Sequence, residues 1–401
     1  MQITRRELLA LAGAAALSDP SGDEVSKRAA AFIGAYSAEG FHRTATTVDR
    51  VSADRLVKAV REAKATAALE PFELARVDPG PAFLGIDGRR IDGLPMFDGS
   101  FTDPEGVRGA IGAAGKSDAP IGWTNVSPDG QGALRATRAG SSHRAIVAVT
   151  TWRHPGLSPV NAQWFTAPFG PPVLQVSSEL ADAIARVTDR GGEVRVVAHA
   201  DRVPATAFNV VVDVEGTHPD LPPLCVMTPR SGWHSNASER GGGIVCWLET
   251  IRLLTATRPR RTVKFVASSG HELGHLGLHA YLDRRPTLAR DAVAWIHLGA
   301  NIGAVDKDVR TTCSQGELQD ITVRAFAESG MPRINPTPAL RVAGEAGTIA
   351  ERGGRFISFI GANEWFHHPD DRWPHAVNVD EVARYAKATA HLALVLGNRL
   401  S

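Results

Sequence analysis

The chain is 401 residues long, 43% hydrophobic and 22% charged, with a formal net charge of +1. That length exceeds a single average domain and predicts two or three compact units with substantial cores. The balanced charge gives no bulk drive toward nucleic acid or an anionic membrane, so neither is expected as a partner. Cys225, Cys246 and Cys313 are an odd number with no zinc-ribbon or redox spacing. Cys225 and Cys246 lie in apolar runs and read as buried small hydrophobes.

At the N-terminus, Arg5-Arg6 precede a brief alanine-rich run that ends at Leu17. A basic pair before a short apolar stretch is the layout of a twin-arginine export signal, here residues 1–20. The run is too short to be a permanent membrane span. A periplasmic or secreted protein is the expectation, and an amphipathic N-terminal helix of a cytoplasmic protein is the other reading. Residues 24–36 and 52–68 carry apolar positions at helical spacing. From Asp78 on, Pro79-Gly80-Pro81, Asp98-Gly99-Ser100 and Asp129-Gly130 punctuate short apolar runs such as 145–149, which predicts short strands and tight turns. A strand at 172–176, a helix at 179–188 and a strand at 193–197 follow.

From Ala207 the pattern becomes strand alternating with helix. Strands are predicted at 209–214, 224–227, 262–267, 293–298 and 356–360, and helices at 244–254 and 379–396. Near-continuous apolar strands between helices predict an α/β fold, doubly wound, with a mostly parallel sheet covered on both faces. Ligands in such sheets bind beyond the carboxyl ends of the strands. The residues there are Thr228 to His234, Ser238 to Gly243, Ser268 to His275, and Asn363 to Arg372.

The run from Arg261 to Val266 leading into Glu272-Leu273-Gly274-His275, together with His367-His368-Pro369-Asp370-Asp371, resembles the co-catalytic zinc aminopeptidases, relatives of glutamate carboxypeptidase and glutaminyl cyclase. The resemblance assigns residues 21–80 and 206–401 to a peptidase-like α/β unit and 81–205 to a β-rich, protease-associated-like insert. It implies hydrolysis of an amide or peptide-like bond in a peptide or small-molecule substrate. Position by position, the family's first zinc histidine falls on Pro229 and its orienting aspartate on Ser231. The bridging aspartate falls on Glu239, the general-base glutamate on His271, and a further aspartate ligand near Gly299, with Asn301 as polar stand-in. Glu272 and His367, or His368, keep their family identities. The resemblance thus leaves Glu239, Glu272 and His367 for one zinc ion, which can work with three protein ligands, and not enough for the usual pair. A metal-free version keeps His271 as base with Glu272 orienting it. An inactive descendant that binds a peptide or small anion is the reading from another class.

Lost carboxylates and gained arginines suggest a cationic pocket in which Arg230, Arg240 and Arg372, with Ser231 and His368, bind an anionic group. Structural ion pairs are the competing reading for those arginines. His271-Glu272-Leu273-Gly274-His275 also matches HExxH, but the flanking Gly270 and internal Gly274 argue against a mid-helix position. Gly241-Gly242-Gly243 reads as close strand-to-helix packing rather than a phosphate cradle.

Overall fold

The computed structural model describes residues 22–306, 308–331, 334–338 and 342–399. Arg5-Arg6 and the rest of the expected export signal lie outside them. In chain order the first half comprises α1 (Gly22–Ala38), α2 (Thr47–Glu62), β1 (Ala67–Ile86), β2 (Arg89–Asp92), β3 (Leu94–Pro95), β4 (Val107–Ala113), β5 (Ile121–Val126), α3 (Gly132–Ala139), β6 (Ala145–Thr150), β7 (Val173–Ser177), α4 (Ala181–Asp189) and β8 (Glu193–Val214). The second half comprises β9 (Leu224–Pro229), α5 (Ala237–Thr257), β10 (Val263–Ser268), α6 (Leu276–Asp283), α7 (Leu288–Asp291), β11 (Ala294–Leu298), β12 (Val309–Cys313), α8 (Gly316–Glu328), β13 (Thr337–Pro338), α9 (Glu345–Glu351), β14 (Phe356–Gly361) and α10 (Val379–Asn398).

The fold is mixed α/β around one large sheet, in the order β13-β12-β14-β11-β9-β10-β8-β4-β5-β6-β7-β3, with β1 paired to β8 and β2 to β1. Its centre, β14-β11-β9-β10, is parallel. Pleating sends alternate residues to opposite faces. Leu224 and Val226 of β9 enter one hydrophobic core, under α1, α5 and α10. Cys225 and Met227 enter the other, beneath α6 and α9. Trp295 and Phe356 join Cys225, whereas Ile296 and Ile357 join Val226. A two-faced core of this kind explains why the strands read as continuous apolar runs. All three cysteines are buried and free.

Two elements depart from the sequence reading. Residues 67–86 form a 20-residue strand rather than the end of a helix followed by a break at Pro79-Gly80-Pro81. The strand absorbs those residues as a register shift between Pro79 and Ala82 while it pairs antiparallel with β8. Bulges take up residues that cannot keep the ladder. The paired β1 and β8 carry the chain from the main sheet to the strands of the 81–205 segment. There β4, β5, β6 and β7 are parallel neighbours. Parallel pairing requires crossovers rather than tight turns, and α3 supplies one between β5 and β6. Among the described residues, no helix is long and apolar enough to cross a membrane.

The second departure is the start of α5. The helix begins at Ala237, so Ser238 to Gly243 are its first turns and not a loop before it. Glycine is costly inside a helix, but here it allows contact. A Cβ on Gly242 would lie 1.6 Å from the Ile302 carbonyl oxygen, and one on Gly241 would lie 2.9 Å from the Ile33 side chain. The packing reading of the triple glycine fits these approaches. Gly242→Ala is therefore expected to lower stability by about 3 kcal/mol or more, read as a fall in the urea midpoint. Gly132→Ala, where an added Cβ meets nothing within 4 Å, should leave the midpoint unchanged or raise it. Equal midpoints for both variants would contradict the packing argument.

Candidate functional site

The carboxyl ends of β9, β10, β11 and β14 open at one edge of the sheet. Beyond β9 comes the turn to α5, whose N-terminus is capped from far along the chain. Asp371 accepts hydrogen bonds from Ser238 N (2.8 Å), Ser238 Oγ (2.7 Å) and Glu239 N (2.9 Å). This satisfies donors that a helix start leaves orphaned. Burial pushes the Asp371 carboxyl up to about 6, against the pull of the Ser238 hydrogen bonds. The cap fixes Glu239 and Arg240, with relative exposures of 0% and 1%.

Glu239 is the electrostatic centre. Its Oε1 lies 2.8 Å from Arg240 Nη2 and 3.3 Å from His367 Nε2. Burial alone would raise its pKa, but Arg240 and then His367 bring it down to about 2. Neither oxygen of Glu239, neither Nη of Arg240 and not His367 Nε2 has an aligned hydrogen-bond partner, although all are buried. Arg240 Nε donates to the Ser231 carbonyl at 2.7 Å, which fixes the guanidinium. His367 Nδ1 lies 2.6 Å from the Pro159 carbonyl oxygen. A carbonyl only accepts, so Nδ1 carries the proton there and Nε2 faces Glu239.

After β10, residues His271–Leu273 form a short 3-10 turn between Gly270 (φ 77°) and Gly274 (φ 77°). Both conformations favour glycine. The HExxH pattern is therefore not on an α-helix, and His275 Nδ1 turns away to Thr348 Oγ1 at 3.0 Å. Glu272 does not orient His271. Its Oε1 accepts from Thr44 N (3.1 Å) and Thr44 Oγ1 (2.6 Å), and its Oε2 from Ser231 Oγ (2.7 Å). Burial raises its pKa in spite of these bonds. The partner of His271 is Glu345, whose Oε1 lies 3.4 Å from Nδ1 and also accepts from Ser268 Oγ at 2.6 Å. Burial, then Arg240, holds His271 well below the usual imidazole range.

The remaining expected ligand-binding residues are placed differently. Arg230 is buried, but its Nη1 donates to Asp49 Oδ1 (2.8 Å), the Asp49 carbonyl and Ser52 Oγ, and its Nη2 to the Phe208 carbonyl. It is a structural ion pair. His368 Nδ1 accepts from Asp370 N, so its Nε2 donates to Pro155 O at 2.9 Å. Arg372 is exposed and donates to Pro369 O. Only Arg240 of the three arginines meets the Glu239, His271 and His367 group. The sequence reading missed Thr44, Asp49 and Glu345, and the capping role of Asp371; these lie in loops or helix starts and become partners only through tertiary contact.

The single zinc expected from Glu239, Glu272 and His367 does not fit these residues, and the zinc pair fits them less. Among the described residues, no group of three or more His, Cys, Asp and Glu is arranged to hold a metal ion. Glu272 is taken by Thr44 and Ser231. A divalent ion about 4 Å from the Arg240 charge would be repelled by about 8 kcal/mol at an effective dielectric of ~20. That is comparable with the whole affinity of many protein zinc sites, about 10–16 kcal/mol for structural zinc.

Four histidines share one electrostatic state. Burial holds His42, His234, His275 and His297 at about 3 against an ordinary 6.5. The unfolded chain takes up these protons near 6.5 and the folded chain refuses them until about 3. Their contribution to stability is therefore full above pH 6.5 and lost progressively as pH falls toward 3. Asp371 works in the opposite sense below about 6, so a single variant isolates the effect. His42→Gln should flatten the loss of stability between pH 6.5 and 4 by up to about 1.4 kcal/mol per pH unit, measured by urea unfolding. An unchanged slope would contradict a neutral buried His42.

With this geometry in hand, the comparisons with known proteins can be read. Residues 184–393 match peptidase family M28. A peptidase M28 precursor from Shewanella amazonensis superposes with a TM-score of 0.77 at 15% identity, over 95% of this chain and 96% of that one. The Bacillus subtilis zinc aminopeptidase BSAP superposes with a TM-score of 0.76 at 16% identity, over 93% and 95% of the two chains. At such identities the likeness is one of fold. A vacuolar membrane protease of Lachancea thermotolerans is 34% identical over 79 residues, 19% of this chain, and the match spans only 8% of that relative's length. The matched region covers half of the sequence and includes Glu239, Arg240, His271, Glu345 and His367: the chain belongs to peptidase family M28, a family of peptidase-type hydrolases.

Proposed function

We propose that the chain is an exported peptidase-type hydrolase that cleaves an amide bond in a peptide or peptide-like substrate without the co-catalytic zinc pair. The observation that carries this reading is the placement of His271, 3.4 Å from Glu345 and under the field of Arg240. His271 keeps a relative exposure of 9%, the largest in a group whose other members, Glu239, Arg240 and His367, have 1% or less. With Nδ1 turned to Glu345, Nε2 is the atom that takes a proton from an attacking water. Glu345 orients the ring. The guanidinium of Arg240, ion-paired with Glu239, supplies positive charge for the carbonyl oxygen as it becomes anionic. The proton on His271 then passes to the leaving amine, and the base is restored. Export is supported by Arg5-Arg6 and the apolar run behind them, and the 81–205 segment is proposed as a protease-associated-like insert.

A second reading, peptide binding without turnover, is favoured by the enclosure of the centre. Trp152 Nε1 donates to Asn363 O, and Ala162 N to Glu272 O, so the insert segment closes over the site. Substrate must displace it.

The two readings separate in an assay of aminoacyl p-nitroanilides and dipeptides. Hydrolysis that persists in excess chelator, with kcat/KM reduced about 100-fold or more in His271→Gln and less in Glu345→Gln, is the expected result. Activity abolished by chelation and restored by zinc would remove the metal-free mechanism. Saturable peptide binding with no turnover would establish the second reading. Export is tested separately: residues 1–40 fused to a reporter that folds before transport should reach the periplasm, and Arg5→Lys with Arg6→Lys should stop it.

A further inference from the structure

We infer that Arg240 is the resident cation of this centre, supplying beside the Glu239–His367 pair the positive charge that a bound metal ion supplies in a metal-dependent hydrolase, and thereby excluding divalent metal. The inference rests on the placement of Arg240 and not on turnover. Glu239 and His367 keep the posture of ligands. His367 holds its Nδ1 on the Pro159 carbonyl and turns Nε2 inward, and both oxygens of Glu239 are buried without a hydrogen bond. A histidine so tethered by its other nitrogen is the usual arrangement for a ligand. Against the same Glu239 oxygen the chain places a guanidinium, 2.8 Å from Oε1 and pinned through Nε to the Ser231 carbonyl.

The surroundings have adjusted to a single fixed charge. Pro229 offers no donor side chain, and Ser231 is a neutral hydroxyl committed to Glu272 Oε2 and to the Gly270 and His271 amides. Glu272 is closed off by Thr44. Each change removes an anion or a free donor that a divalent ion requires. The reach of Arg240 is broad, since its charge acts on Glu239, His271, His275 and His297. A side chain that supplies the charge permanently frees folding from metal supply, whereas a metal-built site loses stability when the ion is stripped.

The test is metal binding and thermal unfolding of the full chain, with zinc and cobalt chloride as probes. Purified wild-type protein should carry well below one zinc per chain, and its Tm should be the same in chelator and in excess zinc. Arg240→Met, which keeps the volume and removes the charge, should bind zinc at least ~100-fold more tightly than wild type and show a zinc-dependent rise in Tm. Arg240→Lys, which keeps the charge, should gain neither. Adding His367→Ala to Arg240→Met should abolish the gained binding. Stoichiometric zinc in the wild-type protein, or a fall in its Tm with chelator, would overturn the inference whether or not the protein turns over peptides. So would an Arg240→Met protein that folds and gains no metal affinity. If that variant does not fold, Arg240→Gln carries the same comparison.

Discussion

The cap that Asp371 places on α5 is the constraint from which the rest of the centre follows. Two helix amides and a serine hydroxyl end on one carboxylate brought from about 130 residues further along the chain. Asp371 stays in place although burial raises its pKa to about 6, because the alternative is a buried helix start with unpaired donors. Once α5 is held there, its third and fourth residues must be Glu239 and Arg240, and both are buried. Helix amides supply a partial positive charge at the same end. The N-terminus of α5, Arg240 and His367 thus surround Glu239, which explains how a carboxylate with no measurable exposure stays ionised.

A buried ion pair is not in itself a stabilising device, because desolvation cancels much of the attraction. Arg240 and Glu239 could in principle be replaced by apolar residues of similar volume at little cost to folding. Breaking the pair is another matter, since one lone charge would remain in the interior. Other carboxylates near the centre also have donors of their own: Asp49 has Arg230, Glu272 has Thr44 and Ser231, Glu345 has Ser268, and Asp371 has Ser238. A set of anions each holding its own donor is the opposite of a metal shell, in which several anions leave lone pairs for one cation.

Much of this was legible in the sequence, and the limits are physical. The strands around 224–227, 263–268, 294–298 and 356–361 were visible because burial on both faces demands unbroken apolar runs. The late helix, expected over 379–396 from its periodicity, spans Val379–Asn398. Strand β1 was hidden by Pro79-Gly80-Pro81, which normally ends a strand and here occupies a bulge. The start of α5 was hidden by three glycines, unfavourable for a helix in isolation and required here by the carbonyl of Ile302. At the centre the structure brings Glu239 and His367 together and pairs Arg240 with Glu239, as the ion-pair reading has it, whereas Arg230 pairs with Asp49, which that reading did not include. The metal-free reading gives His271 the retained Glu272 as its orienting group, whereas the structure gives it Glu345. Adjacent residues in a 3-10 turn project in different directions, and Glu345 reaches the ring from the first turn of α9.

The 81–205 segment is not an appendage to this centre. Pro159 fixes the ring of His367, Ala162 donates to Glu272 O, and Asn161 accepts from the Trp233 indole. A Cβ on Gly274 would lie 2.7 Å from the Gln163 carbonyl oxygen, so the turn that carries His271 is shaped around this segment as well. Removing the 81–205 segment would leave Glu239 facing an imidazole free to rotate and would admit water to a guanidinium whose influence depends on its exclusion. The same contacts make access to His271 depend on how readily residues 152–163 lift. Local opening costs less than global unfolding where loops rather than core strands are displaced, and this segment is a loop between β6 and β7. In this chain, then, the elements that give Arg240 its charge-carrying role are also those that control whether anything can reach it.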